Sequence, residues 1–287
     1  MTKTDKILIT ETPRDAMQGW PMHIPAEKKA RYINALLKVG FETVDCGSFV
    51  SAKAVPQMAD TSEVLQLLNS DNTVSKLMVI AGNTRGGLSA ASERKVSTIA
   101  FPYSVSGTFL KRNLNTSPEK ALKTMAELKE ICQKSGRQLR VYVAMAFGNP
   151  YGDAYNEELV IAGVEKLYHS GIDDLVFSDI TGEGTPESIG RLCAQLVKTF
   201  PGQHPGIHLH TKPGDWLPKV EAAWSAGIRR FESALGGYGG CPMTGYELLA
   251  NLDTVNLVEW CTLKQVECGI NADALQEARV LCREVFV

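Results

Sequence analysis

Ile207-His208-Leu209-His210, together with the run that follows it, decides how this chain is read. Asp215 is placed to cap a helix over residues 216–226, Gly227 to stop it, and residues 228–235 return as an apolar strand. Strand, helix, glycine, strand is the repeating unit of a parallel α/β fold. Side chains alternate along a strand, so His208 and His210 share one face. Two imidazoles side by side are what a divalent metal requires of a rigid support. A half-buried strand whose outward face carries two histidines explains the pair as well, and the surrounding sequence has to decide.

The same unit recurs toward the N-terminus. Residues 6–12, 41–47, 77–81, 96–101, 139–147 and 174–179 read as strands one to six, with the histidine strand seventh and 228–235 eighth. Helices are expected over 25–39, near 63–69, from Ser117-Pro118-Glu119 to Ser135, over 156–170 and from Thr185-Pro186-Glu187. The two proline-containing starts pair a hydroxyl cap with proline at the first helical position. Gly40, Gly171 and Gly227 each close a helix before the next strand. Eight strands alternating with helices predict a (β/α)8 TIM barrel, with residues after Cys241 mainly helical and forming additional C-terminal helices. A doubly wound open sheet is the competitor. No Gly-x-Gly-x-x-Gly follows the first strand, which argues against a dinucleotide fold. No linker or compositional break interrupts the chain, so residues 1–287 are expected to form a single catalytic domain.

A formal net charge of −2 argues against a nucleic-acid partner or a polybasic membrane surface. No apolar run reaches the length of a membrane span, and residues 1–6 carry no signal-peptide core, so a cytoplasmic protein is expected. The cysteines (Cys46, Cys132, Cys193, Cys241, Cys261, Cys268 and Cys282) are odd in number and include no Cys-x-x-Cys pair, which favours thiols over disulfides. Most read as small buried hydrophobes. Cys241 differs, lying in Gly236-Gly237-Tyr238-Gly239-Gly240-Cys241-Pro242.

Barrel enzymes keep their chemistry at the carboxyl ends of the strands. The polar residues expected there are Arg14 and Asp15 after strand one, Asp45 ending strand two, and Asn113 beyond strand four. Asp179 ends strand six, His208 and His210 lie in strand seven, and Cys241 follows strand eight. Singly, each has an ordinary explanation: Asp15 and Asp45 as turn or cap residues, Arg14 as a surface ion-pair partner, Asp179 as part of a tight turn. Their joint placement at one end of a barrel is what favours chemistry.

These residues carry a resemblance. Arg14-Asp15, the run 40–45, Ser48-Phe49-Val50-Ser51, Val55-Pro56-Gln57-Met58, Gly184-Thr185-Pro186, His208-Leu209-His210 and the loop 236–242 resemble the 3-hydroxy-3-methylglutaryl-CoA lyase family. The matches extend from about residue 8 to residue 254. The Arg-Asp and His-x-His elements are shared with the wider group of metal-dependent lyases and Claisen-type synthases. The resemblance implies a divalent metal, Mg²⁺ or Mn²⁺, held by Asp15, His208, His210 and Asn251. It implies catalytic roles for Arg14, Asp45, Asp179, His208 and Cys241, the last on a mobile loop, and substrate contacts from Arg14 and Asn113. The implied partner is a small-molecule acyl-CoA, and a homodimer is ordinary for barrels of this family.

The chain also departs from the family pattern. Thr211-Lys212-Pro213-Gly214 stands where Asp-Thr-Tyr-Gly follows the second histidine, and Ser178-Asp179-Ile180-Thr181-Gly182 replaces Gly-Asp-Thr-Ile-Gly. Asp45 replaces a glutamate, and Ala16-Met17-Gln18-Gly19-Trp20 replaces Gly-Leu-Gln-Asn-Glu. The spacing from Cys241 to Asn251 is one residue longer than in the common pattern. The first expectation is cleavage of 3-hydroxy-3-methylglutaryl-CoA to acetyl-CoA and acetoacetate. The alternatives are a lyase for another 3-hydroxyacyl-CoA, a Claisen-type acyltransferase joining acetyl-CoA to a 2-oxo acid, and a metal-binding barrel without chemistry.

Overall fold

In the computed structural model, residues 5–212, 214–239 and 249–287 are described, so Cys241 and its immediate neighbours lie outside the described residues. Strands β1 (Leu8–Glu11), β2 (Thr43–Ser48), β3 (Lys76–Ile80), β4 (Thr98–Ser104), β5 (Gln138–Ala144), β6 (Asp174–Asp179), β7 (Gly206–Thr211) and β8 (Arg230–Ser233) pair in chain order. All eight are parallel, and β8 closes on β1. This is the expected barrel. A ninth strand, β9 (Ala250–Asn251), was not anticipated; it runs antiparallel to β7 and sets Asn251 opposite His210.

Helices α1 (Pro13–Gln18), α2 (Ala26–Leu36), α3 (Thr61–Leu67), α4 (Thr84–Ser92) and α5 (Gly107–Leu114) lie in the first half. They are followed by α6 (Pro118–Ser135), α7 (Glu157–His169), α8 (Pro186–Thr199) and α9 (Trp216–Ser225), with α10 (Thr254–Lys264) and α11 (Ala272–Val285) after the barrel. Ser117 and Thr185 do cap α6 and α8 with proline at the first helical position. Asp215 precedes α9 but makes no cap bond to it; its Oδ1 accepts from the backbone N–H of Lys212 instead. Helices α1, α4 and α5 escape a reading by periodicity. α1 is too short to show any. Gly86 and Gly87 lower the helix propensity of α4, yet the Asn83 side chain accepts from Gly86 N at 2.8 Å and starts it. Among the described residues no helix is long and apolar enough to cross a membrane.

Alternation along the strands sorts their side chains into two environments. Ile9, Val44, Ile207, Leu209 and Phe231 pack outward in the main core shared with the helices. The lumen holds a smaller apolar cluster of Met78, Ile80, Ala100, Tyr142 and Val176. Polar groups fill the rest of the inner surface: Thr10, Asp45, Arg140, His208 and Glu232 are all buried. Arg140 extends toward the amino ends of the strands, where its Nε donates to Asp174 Oδ2 at 3.0 Å and Arg230 Nη2 donates to Asp174 Oδ1 at 2.6 Å. The described cysteines are free thiols, and all but Cys268 are buried.

Glu11, the last residue of β1, is fully buried and joins β1 to both flanks of the 236–242 loop. Its Oε1 accepts from Leu235 N at 2.7 Å, and Thr254 Oγ1 stands 2.5 Å from its Oε2. The Thr254 hydroxyl is also 2.8 Å from Ser233 Oγ. With one proton each, the Thr254 hydroxyl can donate to Glu11 and the Ser233 hydroxyl to Thr254 Oγ1. Burial raises the Glu11 carboxyl to about 8, against opposition from its bonds to Thr254 and Leu235.

Two outcomes are expected from this architecture. Gly40 has φ +98°, and a Cβ there would lie 2.6 Å from the Gly269 carbonyl oxygen, whereas Gly136 has φ +68° and open space. Gly40→Ala should therefore lose about 1–3 kcal/mol in urea unfolding, and more than Gly136→Ala; equal losses would contradict the packing. For Glu11, a folded pKa of about 8 lies above the ordinary 4.5, so its stabilising contribution is complete below pH 4.5 and fades as pH rises through 8. Glu11→Gln should remove a decline of roughly 3–5 kcal/mol across that window. An identical pH slope in the variant and the parent protein would show that Glu11 does not titrate there.

Candidate metal centre and active site

Four backbone segments converge at the carboxyl ends of the strands. Proline at the first position starts α1 directly after β1, so Arg14 and Asp15 fall in its first turn at the barrel mouth. β7 directs His208 and His210 inward because Ile207 and Leu209 take the outward core positions. β9 brings Asn251 beside His210. α5, opened by Ser106 accepting from Phe109 N at 3.0 Å, carries Phe109 and Asn113 across the mouth.

One donor atom each from Asp15, His208 and His210 lies within 4.8 Å of the others, the single group of this kind among the described residues. The Nε2 atoms of the two histidines are 3.0 Å apart. Two donors bound at right angles to a small divalent cation, each roughly 2.1 Å from it, stand about 3.0 Å apart. Asn251 Nδ2 donates to Asp15 Oδ2 at 2.8 Å and to the Tyr238 carbonyl at 2.9 Å. Its Oδ1 is buried without a hydrogen-bond partner, an acceptor of the kind a hard cation takes. Carboxylate, two imidazoles and an amide oxygen suit Mg²⁺ or Mn²⁺. The residues fit the group.

Arg14 lies between two carboxylates. Its Nε and Nη2 both donate to Asp45 Oδ2, at 2.8 and 2.5 Å. Its Nη1 donates to Asp15 Oδ1 at 2.9 Å and to Gln18 Oε1 at 3.0 Å. Four of the five guanidinium N–H bonds are thus engaged, leaving one on Nη2. Gln18 Nε2 returns a bond to Asp15 Oδ1 at 2.7 Å, which locks the first turn of α1. Gly239, with φ +100°, approaches so closely that a Cβ would lie 2.7 Å from the Asp15 carbonyl oxygen.

The electrostatics divide the acids. Burial pushes Asp15 up, but Arg14 and the two histidines outweigh it and hold the carboxyl at about 2. Burial prevails at Asp45, which reaches about 6 despite Arg14. His210 falls to about 3, chiefly by burial and then by the neighbouring His208, so its imidazole is neutral at physiological pH. Burial lowers His208 as well, yet Glu232 and Asp15 reverse the sign and leave it raised.

A cavity of about 120 Å³ opens above these groups. Arg14, Asp15, His208, His210 and Asn113 line it, and Val50, Ile80, Phe109, Leu114, Tyr142 and Ile180 supply apolar walls. Asp45 and Asp179 are not among the lining residues. Asp45 is fully buried behind Arg14. The Asp179 carboxylate accepts from Gly184 N at 3.1 Å and pairs with Lys219 Nζ of α9 at 3.3 Å, while Lys219 also donates to the His210 carbonyl. Lys212 is exposed and does not line the cavity. Cys241 lies outside the described residues.

Sequence reasoning missed Gln18, Tyr142, Lys219 and Glu232. Glu232 had a faint signal, because Phe231 faces the outer core and the next residue must face the lumen. Lys219 had none, since a lysine in a helix ordinarily reads as solvated surface.

The HMGL-like family model matches residues 6–281. Hydroxymethylglutaryl-CoA lyase YngG of Bacillus subtilis is 30% identical over 238 residues, covering 83% of this chain and 79% of that protein. The mitochondrial hydroxymethylglutaryl-CoA lyase of Bos taurus is 30% identical over 266 residues, covering 93% and 81%. A solved HMG-CoA lyase of A. baumannii, in complex with coenzyme A and 3-methylmalate, superimposes with a TM-score of 0.92 at 29% identity, covering 100% of this chain and 93% of that one. The chain belongs to the HMGL-like family.

Proposed function

We propose that this protein is a divalent-metal-dependent carbon–carbon lyase that cleaves 3-hydroxy-3-methylglutaryl-CoA to acetyl-CoA and acetoacetate. The observation that carries the reading is the convergence of Asp15, His208 and His210 beneath an apolar-walled cavity in a chain of this family. The A. baumannii lyase holds coenzyme A and 3-methylmalate, which supports an acyl-CoA as the substrate class here.

Asp15, His208, His210 and Asn251 would hold Mg²⁺ or Mn²⁺. When bound, such an ion acidifies and orients a substrate hydroxyl. Cleavage between C2 and C3 moves, in net terms, the C3 hydroxyl proton to C2, and passes through negative charge on C2 and the thioester oxygen. Arg14 lines the cavity with one N–H not committed to its carboxylates, and places fixed positive charge where that oxygen would develop charge. Asp45 acts through Arg14, holding the guanidinium plane by two bonds to one oxygen. Asn113 contacts the substrate from α5. Cys241 is assigned the protonation of the acetyl-CoA enolate, a role a thiol can fill as acid or base.

One feature favours a second reading. Ile180 stands in the cavity wall where the family pattern carries threonine, so hydrocarbon replaces a hydroxyl there and the wall suits a more apolar 3-substituent. The test is incubation of the protein with Mn²⁺ and 3-hydroxy-3-methylglutaryl-CoA, following acetyl-CoA and acetoacetate, beside a 3-hydroxyacyl-CoA with a longer 3-alkyl group. Acetyl-CoA release from the first supports the main reading, release from the second alone moves the substrate, and release from neither overturns both. Arg14→Lys loses the planar fork and should lower kcat about 10²–10³-fold. Retention of full kcat would remove Arg14 from the chemistry.

A further inference from the structure

Glu232 is buried in the lumen on β8, between Thr10 of β1 and His208 of β7 in strand register. Its Oε2 lies 3.1 Å from His208 Nδ1. Its Oε1 accepts from Tyr142 Oη at 3.1 Å and from Arg140 Nη1 at 3.3 Å. Tyr142 lines the cavity and sets its ring edge-on to His208, with centroids 6.2 Å apart. Arg140 is fastened at its other end to Asp174, and through it to Arg230. The carboxylate therefore has one oxygen anchored to the barrel floor and the other on the imidazole.

We infer that Glu232 is a positioning residue that fixes the tautomer and ring orientation of His208 for metal ligation. The inference rests on the metal-dependent reading above. A carboxylate has no proton to offer, so Nδ1 of His208 must carry the hydrogen of this bond. That leaves the Nε2 lone pair free, and Nε2 is the atom 3.0 Å from Nε2 of His210. Carboxylate partners of liganding histidines typically change metal affinity 10–100-fold when removed. The two donors on Oε1 sharpen the argument for this chain. In Glu232→Gln, Tyr142 and Arg140 both require an acceptor, so the amide oxygen is drawn to their side. The amide NH₂ then faces His208 Nδ1, which must accept, and the ring proton moves to Nε2 where the metal has to bind.

The test is Mn²⁺ titration, by calorimetry and by the EPR signal of free Mn²⁺, on the full chain and its Glu232→Gln and Glu232→Asp variants. The Gln variant should bind Mn²⁺ about 10–100-fold more weakly. The Asp variant, which keeps the charge, should recover part of that loss. Equal affinity of the Gln variant and the parent protein overturns the inference, whereas failure of the parent protein to bind Mn²⁺ overturns the metal reading itself. A measurement on the unsubstituted protein stands apart from any folding defect: with Mg²⁺ bound, the ¹⁵N signals of His208 should report a protonated Nδ1 and a ligating Nε2. The opposite assignment contradicts the proposal.

Discussion

A charge buried in a protein lumen must find a partner within reach, and that requirement organises this barrel. Asp45, Arg14, Asp15 and Asn251 form one connected string across the mouth. His208, Glu232, Arg140, Asp174 and Arg230 form another, from the mouth to the floor. Each charged member has a partner of opposite charge beside it, although Asp45 Oδ1 and Asn251 Oδ1 are buried without hydrogen-bond partners. Removing one partner of a buried pair costs on the order of 3–5 kcal/mol by stranding the other. Such strings specify side-chain positions more sharply than apolar packing does. Asp15, within the first string, and His208, at the mouth end of the second, are the residues that meet there with His210.

The chemical character of the site follows from this division of labour. Groups committed to structure are hidden: Asp45 behind Arg14, Glu232 behind His208, and Asp179 against Lys219. What faces the cavity is a small polar set ringed by apolar walls. Low dielectric around the cavity strengthens the interaction of Arg14 with any charge that develops there. Fixed dipoles and charges that need not reorganise are the usual source of such rate enhancement. The family's strand-end acid is shortened to Asp45 here, and Arg14 nevertheless reaches it through two bonds to a single oxygen.

Much of the frame is legible in the sequence itself. Period-two alternation put His208 and His210 on one face, and the closures at Gly40, Gly171 and Gly227 all have the positive φ their position demanded. The relation of Asn251 to the histidines came only through resemblance, because β9 is two residues long and its pairing with β7 spans a distance no local pattern encodes. Glu232 was only faintly legible for the same reason: alternation turns it to the lumen, but its meaning lies in register with a strand more than twenty residues away. Asp179 was rightly placed at the end of β6, whereas Asp45 lies within β2 and not at its end, and for neither does the sequence reveal which way the carboxylate turns. Arg14 and Lys219 decide that, one at the end of a short helix and the other on a helix that composition alone would assign to the surface.

The proposed chemistry depends most on one point in space between Asp15, His208 and His210. Crystals of the protein grown with Mn²⁺, with anomalous diffraction measured at the manganese edge, test it directly. The account predicts one dominant anomalous peak within bonding distance of Asp15, of both Nε2 atoms and of Asn251 Oδ1. A peak elsewhere with none at this cluster, or none at saturating Mn²⁺, would contradict it.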